Sequence, residues 1–159
     1  MIGDWRDVWQ ELHELARRLE EIRDGRDGGS VGASADMRAF FTCCESLRDW
    51  VKQEIGDTGK HSRVDGEMKK YNALKLAHDI AIKTKHRVQT RTEPWTEATD
   101  AAVISQSVTI RVGASASHEW VASYTPPGAA RPMETDAVAL SREVLAAWGA
   151  VLVAVGLAP

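Results

Sequence analysis

The sequence predicts a mainly α fold: a four-helix bundle with a small antiparallel β-hairpin inserted before the last helix. Three observations carry the prediction. Apolar residues recur at helical spacing in three stretches before residue 87. The period switches to two after Pro94. An uncharged run then closes the chain from Val144 to Ala158. Spacings of three and four mark one face of a helix, and alternation marks a half-buried strand. A helix apolar along one stripe must bury that stripe against another element, hence a bundle.

The first helix is capped by Asp4, with Asp7 in its favourable first turn. Trp5, Val8, Leu12, Leu15, Leu19 and Ile22 form its packing seam, and Trp9 widens it. Residues 24–34 hold Gly25, Gly28, Gly29 and Gly32 and read as a flexible loop. Ser34 or Ala35 opens the second helix. Phe40, Cys44, Leu47 and Val51 lie on one line of it, with Met37 and Ile55 beside them. Gly56 stops this helix, and 56–59 is a turn. At roughly 100° per residue, Arg48 and Trp50 flank the stripe on opposite sides and Asp49 points away from it.

Ser62 caps a third helix running to about His86. It carries two apolar stripes, one of mostly small residues from Ala73 to Thr84, the other of Tyr71, Leu74, His78 and Ile82. Such a helix is either central in its bundle or part of a subunit interface. Ile104, Val108, Ile110 and Val112 then lie an even number of residues apart. After a turn at 113–117, Trp120, Ala122 and Tyr124 alternate. These form the hairpin, with 88–92 as a candidate third strand, so the β insertion spans about 88–125. Pro126-Pro127-Gly128 ends it. Thr135 or Asp136 caps the last helix, expected to be the most buried element. Its 15 uncharged residues fall short of the ~20 that span a bilayer, so it reads as a core helix rather than a membrane anchor.

The chain has 159 residues, 43% apolar and 27% charged, with a net charge of −3. These values fit one soluble domain over 1–159 and exclude a disordered chain, a collagen and a generic polycation. The N-terminal stretch is charged and amphipathic, unlike a secretory signal. The two cysteines, Cys43 and Cys44, are adjacent and offer no disulfide framework, which points to a reducing cytoplasm. Cys44 lies on the core line of the second helix and reads as a small buried hydrophobe.

Charge is distributed unevenly. Residues 60–91 carry nine Lys or Arg against three acids, a balance of +6 that leaves −9 for the remainder. One reading is a phosphate-binding surface of Lys75, Lys83, Lys85 and Arg87. The other is a solvated face that pairs with acidic residues elsewhere, since aromatics suited to base stacking are missing around it.

Asp79, Lys83 and His86 share one helix face, so Asp79 is placed to pair with Lys83. His86 with Lys85, at the end of the helix where its dipole favours a protonated imidazole, is a candidate acid/base or phosphate contact. A helix-ending basic cluster satisfying free carbonyls explains the same residues. His78 reads as a hydrogen-bonded core histidine. The five histidines show no paired i,i+4 arrangement, and there is no H-E-x-x-H, C-x-x-C, P-loop or G-x-S-x-G. Neither a metal nor a cofactor is therefore expected.

"FFTCCESLRDWV" (Phe40 to Val51) followed by "LKLAHDIAIKTKH" (Leu74 to His86) resembles small uncharacterised bacterial helical proteins. In these a Leu-Arg-Asp-Trp type string precedes a helix ending in Lys-His. The arrangement is loosely similar to HEPN domains, four- to five-helix bundles. Many of these are metal-independent ribonucleases of bacterial defence systems, built as dimers around an Arg-x4–6-His motif. The likeness covers about a third of the chain. No arginine lies four to six residues before His86. The literal matches are Arg6-x6-His13 and Arg111-x6-His118, neither on the expected late helix. The resemblance thus implies a non-catalytic HEPN-like module binding a partner protein or RNA, in a defence or mobile-element setting. Its alternatives are a ribonuclease using His86 with Arg48 or Lys85, and a structural subunit of a larger assembly. The surplus apolar surface at Trp9, Tyr71, His78 and Ile82 implies a homodimer interface.

Overall fold

The computed structural model describes residues 3–24, 30–86, 94–98, 100–109 and 117–159. At 30, 31, 85, 86, 104–109, 117 and 118 it describes the backbone alone. The fold is mainly helical. Its elements are α1 (Trp5–Arg23), α2 (Ser30–Ile55), α3 (Thr58–Met68), α4 (Asn72–His86), β1 (Ala102–Thr109), β2 (Ser117–Tyr124), β3 (Met133–Asp136) and α5 (Ala137–Ala154). The strands form one antiparallel sheet in the order β1-β2-β3.

The start of α1 follows its sequence. The Asp4 carboxylate accepts from the Arg6 N–H, and the Asp4 N–H donates to Asp7 at 3.1 Å. Its seam is buried at Trp5, Leu12, Leu15, Leu19 and Ile22. That seam packs antiparallel on α2. Arg18 meets Asp36 at 2.8 Å, while Val8 lies opposite Cys43. Phe40, Phe41, Cys44, Leu47 and Val51 are buried along α2, Arg48 and Trp50 are half-buried, and Asp49 is exposed, as the periodicity requires. Gly56 takes the left-handed conformation at φ 70° and closes the helix.

Four expectations change. The helix α2 begins at Ser30, so residues 30–34 of the expected flexible loop are helical; 25–29 lie outside the described residues. Packing overrides the poor helix propensity of Gly32, because Ala33 and Met37 are buried beside it. The expected third helix is two helices, so the described residues contain five. Asp57 caps α3, accepting from Gly59 at 2.9 Å, so the expected turn at 56–59 runs into a helix. The helix breaks at Lys69-Lys70-Tyr71. Continuing the buried Val64–Met68 line through the break would reach Asn72 and Lys75. The reset in phase buries Leu74, Leu76 and Ala77 instead.

The third difference is β3. The hairpin is a three-stranded sheet because Tyr124 pairs with Met133 and Val121 with Asp136. The short segment METD is too polar to show a strand period. The candidate strand at 88–92 and most of the turn at 113–117 lie outside the described residues. The fourth concerns α5, which is buried on one face only. Asp136 caps it, accepting from Ala139 at 2.7 Å. Val144, Trp148, Val151 and Leu152 face the core, yet Val153 is 65% exposed. Among the described residues α5 is the one helix apolar and long enough to cross a membrane, and half of it is buried within the chain. The most enclosed stretch is 76–81 of α4, where every residue is buried. Members of both apolar stripes are buried in this stretch, so the middle of α4 is central, while Tyr71 and Ile82 at the ends of one stripe stay half-exposed.

Candidate functional site

The two helices α2 and α4 run antiparallel, and this brings two lines of side chains together. On α2, Phe41, Glu45, Arg48 and Lys52 repeat at spacings of four, three and four, one residue around from the core line. Glu45 is therefore turned inward and buried at 4% exposure, facing His78 of α4, at 3%. The His78 Nδ1 and a Glu45 carboxylate oxygen lie 2.8 Å apart. An ionised carboxylate can only accept, so the Nδ1–H donates to Glu45. The other Glu45 oxygen accepts from the Arg48 guanidinium. Arg48 also forks onto Asp65 of α3, at 2.7 and 3.1 Å, and Lys52 adds a third contact to Asp65 at 2.8 Å. Two carboxylates, Glu45 and Asp65, thus face two cations, Arg48 and Lys52.

The segment 94–98 lies over this network. Trp95 stacks on His78 with ring centroids 3.8 Å apart and planes 17° from parallel. The Arg48 and Lys69 cations stand 5.3 and 5.0 Å from the Trp95 ring centre. Asp79, fully buried on α4, holds the segment in place. Its carboxylate accepts from the Trp95 and Thr96 N–H groups, each at 2.8 Å, and from the Thr96 hydroxyl. Asp79 thus serves the loop, and the expected Asp79–Lys83 pair is not formed.

A carboxylate orienting an imidazole is the geometry of general acid–base catalysis. Here the catalytic nitrogen is sealed. The His78 Nε2 is buried without a hydrogen-bond partner among the described residues, and the indole of Trp95 covers its ring. The dyad joins α2, α4 and the 94–98 segment, and Arg48 extends the joint to α3. Burial tends to raise the Glu45 carboxyl, but the His78 hydrogen bond and the Arg48 charge outweigh it and hold it below the usual range. Burial likewise raises Asp65, and the Arg48 and Lys52 contacts overcome it. Depressed carboxylates stabilise the fold above their unfolded pKa and lose that contribution as pH falls through the folded value. Stability will therefore decline as pH drops below about 4. The Asp65→Asn variant will show a shallower decline in urea midpoints between pH 7 and 2.5. An unchanged slope would remove Asp65 from the acid response.

Of the candidate catalytic residues, the described side chains include Arg48 alone. Arg48 is committed to Glu45 and Asp65 beside His78, whereas His86 ends α4 eight residues further on, roughly 12 Å along the axis. The side chains of Lys85 and His86, and Arg87 altogether, lie outside the described residues. Part of the basic excess of residues 60–91 is engaged within the chain. Lys70 pairs with Glu67 at 2.7 Å, Lys60 lies 3.8 Å from Asp57, and Arg63 donates to the Ala154 carbonyl. Lys75 and Lys83 make no ion pair among the described residues. They line separate recesses, Lys75 beside Trp95 and Tyr124, and Lys83 between α2, α4 and the sheet.

Of the expected interface residues, His78 is a correction. It is enclosed by Glu45 and Trp95 of its own chain and has almost no surface to offer a mate. Trp9, Tyr71 and Ile82 remain half-exposed. Burial pushes the Cys43 thiol up to about 12 and Cys44 well above its ordinary value, so neither is a thiolate nucleophile. Among the described residues no group of three or more His, Cys, Asp or Glu is placed to hold a metal ion.

Sequence reasoning missed Glu45, Asp65 and Trp95. The signal for Glu45 was present in the 4-3-4 charged line running beside the apolar one. Nothing local points to Asp65 or Trp95, which reach the network from other elements. No family model, curated protein or solved structure matches the chain.

Proposed function

We propose that the protein is a non-catalytic helical module, HEPN-like in arrangement, that acts by binding a partner protein or nucleic acid. The observation that supports this reading best is the capture of Arg48 by Glu45 and Asp65 beside His78, which commits its guanidinium within the chain. A HEPN-type ribonuclease would place an arginine and a histidine at one phosphate. The cations left for a partner are Lys75 and Lys83, with Lys85 and Arg87 next along the chain. A homodimer through Trp9, Tyr71 and Ile82 belongs to the same reading, and sedimentation at tens of micromolar checks it.

Fluorescence anisotropy with labelled mixed-sequence RNA in EDTA tests the binding surface. Binding should weaken with added salt. It should fall roughly tenfold when Lys75 and Lys83 are both replaced by alanine. The RNA should stay intact. Cleavage by the wild type that disappears in His86→Ala would establish the ribonuclease instead. Salt-insensitive binding, or none, would leave a protein partner as the occupant.

A further inference from the structure

We propose that the recess between α2, α4 and the sheet binds a small amphipathic anion, an apolar body carrying one carboxylate or phosphate group. The recess has a volume of about 420 Å³, within the usual range of ~300–1,000 Å³ for small-molecule sites. Its walls come from three elements: Met37 and Phe41 of α2, Ile80 of α4, and Val103 and Trp120 of the sheet. Met37, Phe41 and Ile80 belong to the packed core, so the recess is backed by side chains held in place by packing. An apolar ligand would thus enter a preformed surface and leave water without ordering new side chains.

The charged lining is of one sign. Arg38 on α2 and Lys83 on α4 both border the recess, and among the described residues no aspartate or glutamate does. Arg38 is exposed and makes no ion pair among the described residues. Lys83 lies near Asp100, whose carboxyl is already held by the Thr125 hydroxyl and N–H; Lys83 contributes the smallest part of its lowering. Both cations are available to an incoming anion, and a guanidinium paired with an ammonium suits a carboxylate or phosphate. The Ser34 and Thr84 hydroxyls also border the recess. A neutral hydrocarbon would leave the cations unused, and a bare inorganic anion would leave the walls wet. One molecule carrying both features satisfies both surfaces.

Isothermal titration calorimetry with four probes separates the contributions: octanoate, octyl phosphate, octanol and acetate. Octanoate or octyl phosphate should bind at least ~10-fold tighter than octanol or acetate, since a charge-assisted contact in a shielded site is worth about that factor. The tighter of the two identifies the anionic group. Arg38→Ala and Lys83→Ala should each weaken the anionic probes about 5- to 10-fold and leave octanol unchanged. Ser34→Trp, which fills the recess, should abolish binding of every probe. Retention of the wild-type circular dichroism spectrum by each variant verifies the fold. The proposal is overturned if octanoate and octanol bind alike, if the alanine variants bind as the wild type does, or if no probe saturates below ~1 mM, the weak limit for a specific site.

Discussion

Replacing Trp148 with alanine will destabilise the fold by about 3–5 kcal/mol, the cost of deleting a large buried aromatic. Its side chain is fully buried on α5, which packs against α1, α3, α4, β2 and β3. A helix held on several sides leaves little freedom for the cavity to collapse. The Trp148 indole nitrogen has no hydrogen-bond partner among the described residues. Trp148→Phe should therefore cost much less than Trp148→Ala, because it retains most of the packing and removes a buried unpaired donor. On the opposite face of α5, Val153→Ala should stay within ~0.5 kcal/mol of wild type, as is usual for surface positions. Urea unfolding followed by far-UV circular dichroism measures all three. A Trp148→Ala effect below ~1 kcal/mol would show that α5 is peripheral to the fold.

The second large effect is at Glu45. Glu45→Ala will cost about 3–5 kcal/mol, the range for breaking a buried charge network from one side. The substitution strips Arg48 of one partner and leaves the buried His78 N–H with no acceptor. Most of the cost is the desolvation of those orphaned groups rather than the strength of the contact itself. A double-mutant cycle tests that distinction. Glu45→Leu with His78→Leu should destabilise by less than the sum of the two single changes, because the pair is removed with both its polar ends. Additive effects would mean that the two side chains do not share the interaction. Trp95 fluorescence offers a second readout, since this ring stacks on His78 and should respond to Glu45→Ala even where the fold survives.

These two positions differ in how far the sequence announced them. Trp148 lies in a long uncharged stretch, and burial of part of that stretch follows from hydrophobicity alone. The same stretch also led to an overstatement. A helix rich in alanine and valine has apolar side chains all round, so its solvent face carries no polar signature. Only the packing shows that Ala146, Ala150 and Val153 are exposed. At Glu45 the difficulty is reversed. A glutamate three residues before an arginine reads as an ordinary surface pair, and burial turns it into part of a joint linking three helices.

The sequence by itself determined the local features. The Asp4 and Asp136 caps, the Gly56 terminator, the seams of α1 and α2 and the alternation in β2 each depend on residues within a few positions of one another. Backbone stereochemistry and side-chain period settle such features before any tertiary contact forms. The tertiary structure decided everything that joins distant segments. The break at Lys69–Tyr71 exists because two apolar phases must be reconciled against one core. The strand β3 exists because the β2 edge offers hydrogen bonds to a segment with no strand period of its own. Asp79 abandons Lys83, four residues away, for Trp95 and Thr96 because two buried backbone N–H groups there need an acceptor more than a solvated ammonium does. Arg48 is held by Glu45 and by Asp65 of another helix, a set of contacts that no local pattern announces.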